Sequence, residues 1–312
     1  MRTFFPYQPY LSSSTLIHHL GSYRSFYGRL GGLILVSHPG VKPKTQIEKN
    51  LENLQKIRTE SAIELLGLYK KANAGHIASS LSCLEILIYL SCHKMKESDY
   101  LILSKGHAAC GLYVALAQAG RLSKDLLSTY YANGTMLAAH PSCSGKIPSI
   151  PFGTGSLGHG LSLATGLVLS QQFTKKNFKV FAVLSDGDCN EGSTWEAALF
   201  AGHHQLQNLH VIIDYNKLQG IGSTESILDM QPMNRKWEEF GFETFVAEDG
   251  NDFDGLNLAF KSLEELDSKK PKCIVANTTK GHGVSFMQNR VEWHYLPMSE
   301  TEFKKAIEET DA

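Results

Sequence analysis

Val180-Phe-Ala-Val-Leu184 and His210-Val-Ile-Ile-Asp214 are short, almost wholly apolar runs, and a helical stretch, Ser193 to Leu206, lies between them. Apolar runs without polar alternation suit strands buried on both faces, and a helical crossover between two of them makes the pair parallel. The same reading extends along the chain. Tyr100-Leu-Ile-Leu103, Phe242 to Val246 and Cys273-Ile-Val-Ala276 are further strands. Helical spacing predicts helices over Ile47–Lys70, Leu81–Cys92, Ala108–Ala119, Gly158–Gln172 and Phe253–Leu266. The fold class that follows is α/β: a mostly parallel sheet with helices on both faces.

In such sheets ligands bind beyond the carboxyl ends of the strands. Four polar clusters stand there, at Ser104–His107, Ser185–Asn190, Asp214–Gln219 and Asn277–Gly283. One strand–helix–strand unit separates Asp186 from Asn216, so a carboxylate and an amide oxygen sit at neighbouring strand ends. A hard divalent cation such as Mg²⁺ takes oxygen ligands, shared in many sites with substrate phosphates. Asp186, Asn216 and the Leu218 carbonyl are therefore candidate ligands. Gly187 allows close backbone approach to a phosphate, and the helix N-terminus near Gly192 favours an anion.

The segment from Ser185-Asp-Gly-Asp188 to Asp214-Tyr-Asn216-Lys-Leu218 resembles the thiamine-diphosphate motif of transketolases, in particular the separately encoded N-terminal subunits of split transketolases. Further blocks stand in family order: Ala74-Gly-His76, Ser104-Lys-Gly-His107, His140-Pro141, Gly153-Thr-Gly155-Ser-Leu157-Gly158, Lys280-Gly-His-Gly283 and Trp293-His294. The resemblance covers about residues 50 to 300 and implies the diphosphate-binding (PP-type) domain of the thiamine-diphosphate fold. It implies thiamine diphosphate and Mg²⁺ (or Ca²⁺ or Mn²⁺) as cofactors, with Asp186, Asn216 and Leu218 on the metal. It places Gly187, His107, Asn216 and Lys280 on the diphosphate side, and Gly155 and Leu157 against the cofactor rings. His76, His140 and His294 match histidines of the substrate channel, where an imidazole can donate, accept or carry a proton near neutral pH.

The implied activity is transfer of a two-carbon ketol unit from a ketose phosphate to an aldose. That chemistry also needs a Glu facing the aminopyrimidine, which transketolases supply from a pyrimidine-binding domain. The chain ends at Ala312 without room for it, so the expected partner is a separate C-terminal transketolase chain, and the expected assembly is α₂β₂. Two residues depart from the family pattern. Ser185 replaces the first Gly of the motif, and Lys217 follows the ligand Asn, bringing a cation beside the expected diphosphate site. They leave open a non-catalytic regulatory role. Another split enzyme of this cofactor, deoxyxylulose-phosphate synthase-like, is a further alternative, against which His140 and Trp293-His294 argue.

Composition removes other classes. A net charge of −1 gives no field for nucleic acid or anionic membranes, and no apolar run approaches a membrane span. Six scattered cysteines without a Cys-x-x-Cys pair, in a chain of 312 residues, fit reduced thiols in the cytoplasm. No zinc spacing occurs. Gly153-x-Gly155-x-x-Gly158 matches a dinucleotide pattern, but two prolines in the preceding segment and the absence of a later acidic residue reject that reading. Residues 1–47 lack Asp and Glu and carry five Arg or Lys. They read as an extension, poorly ordered or a transit peptide, ahead of one domain over 48–312.

Overall fold

The computed structural model describes residues 46–142 and 147–311; the expected extension, 1–47, lies outside them except for Gln46 and Ile47, which open the helix Gln46–Ala72. Five parallel strands form one sheet: β1 (Tyr100–Leu103), β2 (Val180–Ser185), β3 (Leu209–Tyr215), β4 (Glu243–Ala247) and β5 (Lys272–Asn277), in the order β1-β2-β3-β5-β4. Every expected strand is present, each within one residue of its expected bounds.

Alternation along the strands feeds two cores. Leu101, Leu103, Phe181, Val183, Ile212 and Ile274 point to one face, under helices Gln46–Ala72, Ala109–Gln118 and Phe253–Glu264. Ile102, Val180, Ala182, Leu184, Val211, Ile213 and Val275 point to the other, under Gly160–Leu169, Gly192–His203 and Met233–Glu239. At ~25 cal/mol per Å² of apolar surface, these two layers supply the main drive to fold.

Two helices differ from expectation: Gly158–Gln172 forms Gly160–Leu169 and a separate turn, Gln171–Thr174, and a second is broken more deeply. The stretch read as a continuous helix over Leu81–Cys92 is broken at Cys83 (φ −109°, ψ 13°) into Ile77–Ser82 and Leu84–Ile88, followed by a wider π-helical turn, Tyr89–Lys94. Ile77 through Ser91 are all buried. With neighbours on every side, tertiary contacts rather than local periodicity set where the helix breaks.

The crossovers place the site. The chain leaves β1 and β5 toward the first core, and leaves β2 and β3 toward the second. The loops part between β1 and β2 and again between β3 and β5, opening a crevice at the carboxyl ends of those strands.

Candidate active site

Register brings the motif residues together. Ser185 pairs with Asp214, and Tyr215 with Asn277, so Asp186 and Asn216 leave adjacent strands side by side. A cavity of about 310 Å³ opens there. All eleven residues singled out from the sequence line it: His76, His107, His140, Gly155, Leu157, Asp186, Gly187, Asn216, Leu218, Lys280 and His294.

Asp186 is 2% exposed. Its oxygens accept hydrogen bonds from Thr224 Oγ1 (2.6 Å) and Gly187 N (2.9 Å), and it makes no ion pair among the described residues. Burial, with the Asp214 charge adding, pushes this carboxyl above the usual range, although the Thr224 hydrogen bond opposes the shift. A buried carboxylate without a cation is costly. Asn216 Oδ1 accepts from Leu218 N (3.0 Å), and the Leu218 carbonyl accepts from Lys280 Nζ (3.2 Å). Carboxylate, amide oxygen and carbonyl together are a hard-oxygen donor set of the kind that fits a divalent cation. Gly187 closes this side; a Cβ there would meet Leu157 Cδ1 at 3.2 Å.

Four imidazoles form the opposite wall. The His76 ring lies 5.5 Å from that of His107, 6.0 Å from that of His140 and 4.9 Å from that of His294. Burial pulls His76 down to about 4 and His294 to about 3, with neighbouring positive groups adding, and lowers His107 and His140 as well. The cluster is therefore neutral at pH 7. Lys280 Nζ lies 3.1 Å from His294 Nδ1; facing an ammonium, that nitrogen acts as acceptor and leaves the proton on Nε2. Lys280 itself is pulled to about 8, by burial first and then by Lys105. Gly155 has φ +146°, and a Cβ there would meet His140 Cδ2 at 2.9 Å, so the glycine loop shapes the histidine wall.

Three features escaped the sequence reading. Lys105 and Asp214, 1% and 0% exposed, form an ion pair beneath the cavity. Burial alone would lower the Lys105 ammonium, but the Asp214 charge holds it above its ordinary value. Asp188 accepts from Ser104 Oγ (2.6 Å), Gly158 N (2.8 Å), Ser185 N (2.8 Å) and Ser185 Oγ (3.0 Å), knotting the ends of β1 and β2 to the glycine loop. Thr224 reaches Asp186 from the first turn of a short helix, Thr224–Leu228, that carries no motif signal. Asp214 closes an apolar run and Lys105 stands inside a family block, so both were visible; their pairing across 109 positions was not.

Two expectations are corrected. Lys217 does not line the cavity: it is exposed, and its ammonium sits over the Tyr215 ring, 5.9 Å from the centroid. Its backbone turns at φ +65°, which directs the side chain away and explains why glycine suits this position. The helix N-terminus near Gly192 is also outside the lining, because a short 3₁₀ turn, Asp188–Asn190, intervenes after β2. Ser185 lines the cavity, but its hydroxyl is held by Asp188. The histidines read as packed or surface groups are so: His210 is buried against Phe181, and His159, His203 and His204 lie toward the surface.

A parallel sheet whose strand ends gather hard oxygens, a glycine loop and neutral imidazoles around one cavity defines an α/β domain for a phosphorylated cofactor. The family described as transketolase, thiamine diphosphate binding domain, matches residues 58–310, and the chain belongs to it. It is 39% identical over 244 residues to an apulose-4-phosphate transketolase subunit from Actinobacillus succinogenes, covering 75% of this chain and 87% of that protein. The 6-deoxy-6-sulfo-D-fructose transketolase subunit of Clostridium sp. (strain MSTE9) is 36% identical over 250 residues, 77% of this chain and 90% of that one. The solved transketolase of Campylobacter jejuni superposes with a TM-score of 0.75 at 27% identity, over 84% of this chain. The chain spans 43% of the length of that structure.

Proposed function

We propose that this chain is the diphosphate-binding subunit of a split, thiamine-diphosphate-dependent transketolase, which moves a two-carbon ketol unit from a ketose phosphate to an aldose. One observation carries the reading: the buried Asp186 carboxylate, without an ion pair among the described residues, shares a cavity with the Asn216 amide, the Leu218 carbonyl and a wall of neutral imidazoles. Asp186, Asn216 and the Leu218 carbonyl hold the divalent ion, Mg²⁺ in the simplest case. Gly187, His107, Asn216 and Lys280 receive the diphosphate, while Gly155 and Leu157 bound the space for the rings. Thiamine diphosphate, when bound, would supply the acidic thiazolium carbon that ketol transfer requires.

The protein's own part is positioning and proton handling. Neutral His76, His140 and His294 are suited to hydrogen-bond sugar hydroxyls at pH 7, each ring donating at one nitrogen while accepting at the other. Lys280 fixes the His294 tautomer and adds positive charge opposite the diphosphate. The carboxylate that must face the aminopyrimidine comes from a partner chain with a pyrimidine-binding domain, in an α₂β₂ assembly. The names of the relatives, which describe each as one subunit of a transketolase, support this. So does the cavity rim, where Ile221 and Tyr295 are 81% and 58% exposed and need a cover. The five described cysteines are free thiols, in keeping with a cytoplasmic enzyme, and no described helix is long and apolar enough to cross a membrane.

The test is calorimetric titration of the chain with thiamine diphosphate and Mg²⁺, alone and with a co-expressed pyrimidine-domain partner. Absence of binding in both conditions sinks the cofactor reading. Full transketolase activity from the chain alone sinks the split-enzyme reading.

A further inference from the structure

A side-chain amide presents two chemically opposite ends, and only the oxygen can serve a cation. Asn216 is held so that the choice is made. Its Nδ2 donates to Ser82 Oγ (2.9 Å) and to Asp214 Oδ2 (3.4 Å), both buried on the protein side, which leaves Oδ1 on the side of Leu218 N and the cavity. The Ser82 hydroxyl can accept from Asn216 because its own proton goes to Asp214 Oδ1 (2.6 Å). Asp214 accepts these bonds, and Lys105, anchored also on the Ser79 carbonyl (3.1 Å), pairs with its Oδ2 in a wholly buried place. The chain of polarity runs in one direction, from Lys105 through Asp214 and Ser82 to the Asn216 amide.

We infer that Asp214 and Ser82 are positioning residues, which lock the Asn216 amide with its oxygen toward the cation, and that the Lys105 ion pair holds the Asp214 carboxyl in place for this lock. The inference rests on the cofactor reading above. Ser82 lies on helix Ile77–Ser82 and Asp214 on β3, so the lock also couples the helix that follows His76 to the metal side of the cavity. Thr278 offers an internal comparison. Its Oγ1 donates to the same Asp214 oxygen as Ser82 does, yet it makes no hydrogen bond with Asn216.

Ser82→Ala and Thr278→Val therefore each remove one hydroxyl from Asp214, but only the first unlocks the amide. The experiment is calorimetric titration of wild type, Ser82→Ala, Ser82→Thr and Thr278→Val with thiamine diphosphate plus MgCl₂, with thermal melts of the ligand-free chains. A freed amide predicts a fall in affinity of about 10-fold for Ser82→Ala, equivalent to ~1.4 kcal/mol. Ser82→Thr restores it, and Thr278→Val stays within about 2-fold of wild type. Both alanine and valine variants melt lower by a similar amount. In the ligand-free wild type the Asn216 side-chain amide protons exchange slowly, and in Ser82→Ala they exchange fast. Equal affinities of Ser82→Ala and wild type, or equal losses in Ser82→Ala and Thr278→Val, overturn the inference while leaving the cofactor reading intact. No binding by wild type overturns both.

Discussion

The backbone N–H of His76 donates to the carbonyl of His294 (3.1 Å), and the two imidazoles meet edge to face at 4.9 Å. Residues far apart in the chain are thus joined at backbone and ring, and His76 takes φ +71° to do so. The contact gathers imidazoles in a half-buried place next to two lysines, which is why they titrate so low.

Acid sensitivity follows. His76 and His294 titrate near 4 and 3 in the folded chain, and His210 in the core near 3, against about 6.5 when unfolded. Between pH 6.5 and 4 the unfolded chain binds more protons, so stability rises with pH and is lost as pH falls through this window. Thermal melts from pH 7.5 to 4.5 should decline below about pH 6.5, and His294→Gln should flatten the slope. A pH-independent melting temperature would refute the neutral cluster.

Asp186→Asn separates binding from stability. Removing a buried charge that lacks a cation relieves desolvation, so the ligand-free chain should melt higher by roughly 2–4 °C for each ~1 kcal/mol recovered. Mg²⁺-dependent cofactor affinity should drop at least about 100-fold, two factors of ~1.4 kcal/mol. Differential scanning calorimetry and titration calorimetry on the same preparation read both. A lower melting temperature would mean that Asp186 is a structural acceptor.

Gly155→Ala tests the histidine wall. The backbone there is left-handed and the new methyl would press on His140. We expect a cost of about 1–3 kcal/mol in denaturant unfolding, together with weaker cofactor binding. An alanine variant as stable as wild type would show that the loop relaxes freely.

The two departures from the family pattern should respond oppositely to glycine. Ser185→Gly loses both hydrogen bonds to Asp188 and should cost about 1–2 kcal/mol. Lys217→Gly relieves a left-handed residue outside the cavity, so stability should hold or rise by up to ~1 kcal/mol. Cofactor affinity should change less than about 2-fold in either, or ~0.4 kcal/mol. A large affinity change in Lys217→Gly would put its ammonium at the diphosphate after all.

The sequence by itself determined the five strands and eleven of the residues around the cavity. Apolar runs such as Val180–Leu184 have one stable use, and ligand-bearing residues at strand ends are ordered by the chain itself. Periodicity did less well at Cys83, where a helix buried on all sides broke for reasons of packing. Only the tertiary structure decided which way side chains point. It paired Lys105 with Asp214, turned Lys217 outward, closed strand-end and loop segments on Asp188, and brought His76 against His294. Most of these are contacts between residues remote in sequence. Their formation depends on strand register and on the free energy of burying charge, neither of which a local pattern encodes.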